Sequence, residues 1–128
     1  MKLFVEVLEA LRYIHSKDLI HRDIKSPNIF LTRDGTAKLG DFGLSIQGKS
    51  IKVKSKYSVV GTDCYLAPEL HKKKIYQKGK ASDVWATGCI LLEMVLGTPL
   101  WELDFDLGIK AIEDPNYLKD FISEKTPQ

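Results

Sequence analysis

Apolar residues fall at Leu3, Val7, Leu11 and Ile14, a helical spacing, with Leu8 widening the stripe. The pattern predicts a helix over residues 2–16 with one buried face. Leu19 to Asn28 reads as a loop, because Ser26-Pro27 forbids a continuing helix. Ile29-Phe30-Leu31-Thr32 and Thr36-Ala37-Lys38-Leu39 read as two short strands, and Asp34-Gly35 between them is a two-residue hairpin signal. The mixed polarity of residues 44–66 predicts a long, mobile, irregular segment. Ser82 or Asp83 stands where it would cap a helix from Asp83 to Leu96, which Gly97 stops. That run is apolar nearly all round, so it is expected to be the buried central element. A weaker helix is predicted over residues 104–113, before Asp114-Pro115, and Tyr117 to Ser123 starts another. The expected fold is thus mainly α with one small β-hairpin.

The hairpin makes a chemical prediction of its own. In a two-residue Asp34-Gly35 loop, paired positions sum to 69, which sets Asn28 opposite Asp41. An amide oxygen and a carboxylate on one face form a small hard-oxygen site. Mg²⁺ suits it, since that ion takes few protein ligands and completes its shell with water and phosphate oxygens.

Composition narrows the picture. The 128 residues fit one domain with a real core and show the ordinary balance of a globular protein, 44% apolar and 28% charged. Two cysteines, Cys64 and Cys89, do not make a disulfide framework; Cys89 sits in an apolar helical run, where a buried thiol is expected. Leu3 to Leu11 carries Glu6 and Glu9, which spoils a signal-peptide core, and Val84 to Leu96 is too short to span a bilayer. These features point to an intracellular, cytoplasmic chain without membrane attachment. From Lys49 to Lys80 nine lysines stand against Asp63 and Glu69, and from Glu102 to Glu124 seven acids stand against Lys110 and Lys119. Few aromatics are interleaved with the lysines, so nucleic acid is not an expected partner.

The remaining signal is a set of short motifs in fixed order: His21-Arg22-Asp23-Ile24-Lys25-Ser26-Pro27-Asn28, then Asp41-Phe42-Gly43, then Ala67-Pro68-Glu69. Together they resemble the protein kinase family, and specifically the large C-terminal lobe of its catalytic domain. The resemblance assigns a catalytic loop at 21–28, a metal-binding hairpin at 28–43, an activation segment at 41–69 and a central helix at 83–96. It implies transfer of the ATP γ-phosphoryl group to a protein Ser or Thr hydroxyl, with ATP and Mg²⁺ as cofactors. Asp23 would be the base, Lys25 would offset charge on the transferred phosphate, and Asn28 and Asp41 would hold the metal. Phe30 would support the adenine. Lys25 and Thr62, the latter in Gly61-Thr62-Asp63-Cys64-Tyr65, match the serine/threonine branch, in which the threonine contacts the base. Arg22 beside Asp23 matches kinases switched on by activation-segment phosphorylation, with Ser58, three before Gly61, as the acceptor for an activating kinase. His21, Phe42, Gly43, Glu69 and Asp83 match structural positions; the last would hold the backbone of the catalytic loop. Asn28 to Thr32 with Leu39 to Gly43 looks most like the NIMA-related group.

The pattern also departs from the family. The chain contains no G-x-G-x-x-G loop and no assignable strand lysine paired with a helix glutamate. Its only arginines are Arg12, Arg22 and Arg33, so the partner that Glu69 has in the family is missing. The small lobe and the last helices are therefore expected to be absent, and the chain by itself to be inactive. Two other roles fit such a sequence: a noncatalytic kinase-lobe binding module, and a truncated product with no function of its own.

Overall fold

The structure, a computed structural model, describes residues 1–43, 45–47, 50–53, 63–68, 76–103, 110 and 113–125. Helix α1 runs over Lys2–Ser16. Val7, Leu11 and Ile14 are buried along one face, as the spacing predicts, whereas Leu8 lies 42% exposed and does not widen the stripe. Helix α2 runs over Lys80–Leu96 and packs against α1. Leu11, Ile14, Ile24, Ala86 and Ile90 form the heart of the core between them. Burying an aliphatic side chain of this size stabilises the fold by about 1.5–3 kcal/mol.

Strand β1 (Leu19–Ile20) follows α1, β2 (Ile29–Leu31) pairs with β3 (Ala37–Leu39), and β4 (Ile46–Gln47) returns antiparallel to β1. Strand β5 (Ser50–Val53) pairs with β6 (Tyr76–Gly79), which leads directly into α2. Two expectations change here. The stretch after Leu19 is not all loop, and the described parts of 44–66 are not all irregular, because both supply edge strands to small ladders. Each ladder joins residues far apart in the chain, which local patterning does not register. Helices α3 (Leu100–Leu103) and α4 (Tyr117–Lys125) complete the described fold. Most of the helix expected over 104–113 lies outside the described residues. Among the described residues the protein is thus helical with three two-stranded ladders rather than one hairpin.

The caps of α2 divide. Gly97 closes its C-terminus at φ +70°, donating its N–H to Glu93 O at 2.8 Å, as expected of a left-handed glycine. The start is one turn earlier than predicted. Gly79 is the N-cap, Ser82 Oγ donates back to Gly79 O at 2.6 Å, and Asp83 is freed for other partners. Nor is α2 buried all round: Val84 and Val95 are 56% and 48% exposed.

The hairpin register also differs. Ile29 pairs with Leu39, Phe30 with Lys38 and Leu31 with Ala37. Thr32 N–H donates to Thr36 O at 2.9 Å, Gly35 N–H donates to Thr32 O at 3.0 Å, and Gly35 sits at φ +81°. This is a three-residue loop, Arg33-Asp34-Gly35, with glycine in the left-handed position that closes it. Paired positions therefore sum to 68, as 29 and 39 do, and Asn28 lies opposite Gly40, whose N–H donates to Asn28 O at 2.9 Å. The expected facing of Asn28 and Asp41 is corrected by one residue. Asp34 decides the difference, because its carboxylate accepts from the Thr32 hydroxyl and from Thr36 N–H across the loop. These bonds, the Thr32 hydroxyl first, hold the Asp34 carboxyl below its ordinary value.

Candidate active site

The loop from His21 to Asn28 is bent by a strained residue. Arg22 has φ +73°, a left-handed conformation that costs a non-glycine residue about 1–2 kcal/mol. Asp83, 2% exposed, holds that bend. Its Oδ1 accepts the Arg22 N–H at 3.0 Å, and its Oδ2 accepts the His21 N–H at 2.9 Å. Charge-assisted bonds to a buried carboxylate are strong enough to offset the strain.

His21 is fully buried and its tautomer follows from its neighbours. Nδ1 accepts the Asp23 N–H at 3.1 Å, so the proton stands on Nε2, which donates to Gly40 O at 2.8 Å. Its ring packs tilted against Phe42, with centroids 4.8 Å apart. One imidazole therefore joins the 21–28 loop to the strand end before Asp41.

The bend brings Asp23, Lys25 and Asn28 together. Lys25 Nζ lies 3.7 Å from Asp23 Oδ1. Asn28 Nδ2 donates to Asp23 O at 2.7 Å and to Asp23 Oδ2 at 3.2 Å. Asp23 is thus a largely buried carboxylate with one oxygen beside a cation and the other beside an amide. Since Asn28 spends its nitrogen on Asp23, its carbonyl oxygen remains as an acceptor or metal ligand. Asp41 leaves the ladder at φ +54°, is exposed, and accepts the Gly43 N–H at 3.4 Å. An amide oxygen and a carboxylate oxygen are the donor types that a hydrated Mg²⁺ accepts. Among the described residues no group of three or more His, Cys, Asp or Glu could hold a metal ion by itself. The donor set therefore fits an ion that keeps most of its shell from elsewhere.

Phe30 stands 52% exposed on the hairpin, with its ring against Gly40; a Cβ at position 40 would overlap that ring. Thr62, Ser58 and Glu69 lie outside the described residues.

Three residues are important here that the sequence did not single out. Tyr65 donates its hydroxyl to Glu93 Oε1 at 2.7 Å and lies 3.2 Å from Ser26 Oγ, while Glu93 Oε2 accepts the Leu100 N–H at 3.0 Å. This network ties the 63–65 turn, the 21–28 loop, α2 and α3 together. Burial, then the Glu93 carboxylate, raises the Tyr65 hydroxyl well above its ordinary value. The third is His15, whose Nε2 lies 2.8 Å from Asp83 Oδ2. A glutamate at a buried helical position, Glu93 amid Ile90 and Leu96, was the one signal available for the first two. Cys89 is buried, as expected, and Cys64 is buried as well; burial pushes the Cys89 thiol up to about 12.

Comparison with known proteins gives a consistent result. The profile of the protein kinase domain matches residues 1–124. Serine/threonine-protein kinase Nek1 of Mus musculus is 46% identical over 91 residues, covering 71% of this chain and 7% of its own length. Dual specificity protein kinase zak2 of Dictyostelium discoideum is 38% identical over 128 residues, covering 95% of the chain and 19% of its own. Serine/threonine-protein kinase Nek8 of Danio rerio is 47% identical over 93 residues, covering 71% and 13%. The chain spans less than a fifth of the length of each of these relatives.

Proposed function

The chain belongs to the protein kinase family, and on that premise we propose that it supplies the catalytic and metal-binding part of a serine/threonine kinase large lobe. The reaction is transfer of the ATP γ-phosphoryl group to a protein Ser or Thr hydroxyl. The observation that carries this reading is the buried Asp23 carboxylate, set between Lys25 at 3.7 Å and the Asn28 amide at 3.2 Å. Asp23 orients the acceptor hydroxyl and takes its proton as the new P–O bond forms. Lys25 offsets negative charge on the phosphoryl oxygens in flight. Asn28 and Asp41 would hold Mg²⁺, which when bound neutralises charge on the phosphates. Phe30 offers a ring face to the adenine, with Gly40 leaving room for it. By resemblance to the family, Thr62 would contact the base, and Arg22 would read a phosphate on Ser58 placed by an activating kinase. The NIMA-related group is the subfamily we favour; Nek1 and Nek8 lend it weak support, and zak2 shows that the likeness extends beyond the Nek proteins.

By themselves the 128 residues transfer little phosphate, because they hold base and metal ligands without a Gly-rich loop or strand lysine to orient the triphosphate. Two proteins test the reading: the chain alone, and the chain joined to a kinase small lobe, each given ATP labelled at the γ-phosphate and a Ser/Thr protein substrate. Transfer by the joined protein, lost on Asp23→Asn, is the expected result. Equal transfer by the Asp23→Asn protein overturns the assignment of the base.

A further inference from the structure

Cys64 and Cys89 lie 25 positions apart in the chain and meet in the core. Cys64 stands in the 3₁₀ turn Asp63–Tyr65 at 1% exposure, and Cys89 stands midway along α2 at 4%. The Cys89 thiol donates to the Cys64 carbonyl oxygen at 4.0 Å. Disulfides join Cα atoms about 4.4–6.8 Å apart, and a thiol that touches the backbone of the other cysteine makes the approach that such a bond needs. Both residues carry thiols in this structure. Neither enters the site chemistry, and a small apolar side chain would serve the packing equally well. Two thiols are too few for a framework that builds a fold, yet enough for a reversible staple.

We propose that Cys64 and Cys89 form an intrachain disulfide under oxidising conditions, a redox staple that fixes the 63–65 turn on α2. The oxidant is a small disulfide such as oxidised glutathione. The Cys64 thiolate attacks one of its sulfurs, which gives a mixed disulfide and expels one small thiol. The Cys89 thiolate then attacks the Cys64 sulfur, closes the bond and expels the second. Two protein thiols are oxidised, one small disulfide is reduced to two thiols, and the two protein protons end on those leaving groups. Cys64 is the entry point, because a three-residue turn opens more readily than the middle of a 17-residue helix. Burial, then the nearby Cys64 and Glu93 groups, keeps the Cys89 thiol protonated, so it attacks only after the opened turn has admitted water. The stapled turn includes Tyr65, whose hydroxyl bonds to Glu93 and meets Ser26 of the 21–28 loop. Any consequence for phosphoryl transfer rests on the proposed function. The redox chemistry does not.

The test uses the folded 128-residue chain as parent, Cys89→Ser and Cys64→Ser. Each is incubated with oxidised glutathione, quenched in acid and mapped by mass spectrometry without reduction. The parent is expected to lose two hydrogens, to yield a linked Cys64–Cys89 peptide and to return to the thiol form with dithiothreitol. Cys89→Ser is expected to keep one glutathione on Cys64, and Cys64→Ser to react about tenfold more slowly. In the oxidised parent, amide exchange at Tyr65 and Leu66 slows by about tenfold more than at amides within α1, because local opening of the turn is blocked. A parent that stays unmodified, that carries glutathione on both cysteines, or that joins two chains instead overturns the proposal. So does a bond that forms only in denaturant. If Cys89→Ser does not fold, the parent's linked peptide and its exchange decide. If the staple forms and no protein bearing these residues transfers phosphate, the functional reading fails and the staple stands.

Discussion

Two buried acids do different work in this protein, and the difference lies in their partners. Asp83 is saturated by donors from the loop and from α1, so it holds geometry. Asp23 has a lysine beside one oxygen and an amide beside the other, and is left able to engage a hydroxyl. In a protein that carries these residues together with a nucleotide-clamping lobe, Asp23→Asn is expected to abolish transfer while sparing ATP binding. Asp41→Asn should also weaken Mg²⁺-dependent ATP binding, because on the proposed reading it removes an anionic ligand. Parallel calorimetry and phosphate-transfer assays separate the two effects. Tyr65 gives a second prediction. Tyr65→Phe leaves Glu93 Oε1 without its donor and should destabilise the chain by about 1–3 kcal/mol in chemical denaturation. Because the folded hydroxyl titrates above its ordinary value of 10.0, its contribution is whole below that pH and is lost as pH climbs past it. The alkaline fall in stability above about pH 10 should therefore be smaller in the Phe variant than in the parent.

At the scale of the element, the hairpin shows how one loop residue sets register. Gly35 at φ +81° has open space around its Cα, so Gly35→Ala meets no clash and tests backbone strain alone. It should cost about 1–2 kcal/mol, and Gly35→Asn less, since asparagine tolerates the left-handed region. Denaturant midpoints of the two variants measure this. The predicted activation segment carries another test. In an active protein Ser58→Ala should lower activity, and Arg22→Ala should remove the benefit of a Ser58 phosphate, because an arginine–phosphate pair orders the segment through charge-assisted bonds. Phosphate mapping with activity assays checks both. Full activity of Ser58→Ala with no other phosphate on that segment removes this mechanism.

For the whole molecule, the decisive feature is a groove between α2 and α4. It encloses about 490 Å³ and is lined by apolar side chains that include Val84, Trp85, Leu92, Val95, Leu118 and Ile122. Exposed apolar surface of this kind favours self-association. The chain is expected to be marginally stable, to bind a hydrophobic dye and to associate at high concentration. A Val84→Lys, Val95→Lys double variant should reduce both dye binding and the mass seen by light scattering. A dye-silent monomeric parent would show that the groove is covered in solution. No helix among the described residues is long and apolar enough to cross a membrane.

The two main helices and the existence of the hairpin are legible in the residues alone. Each of these depends on spacing within a few residues, where apolar periodicity and turn chemistry act directly. The match of residues 1–124 to the protein kinase domain agrees with the motif order read from the chain. The hairpin register is seen only in the folded chain, because Asp34-Gly35 serves a two-residue or a three-residue loop, and the Thr32 and Thr36 bonds to Asp34 select the longer one. The fold alone revealed the His15–Asp83 and Tyr65–Glu93 bonds, which join residues 68 and 28 positions apart. Such pairs leave no local pattern. They form because α1 and the 63–65 turn pack on α2 and bury its carboxylates, and a buried carboxylate is stable only where donors from distant segments meet it.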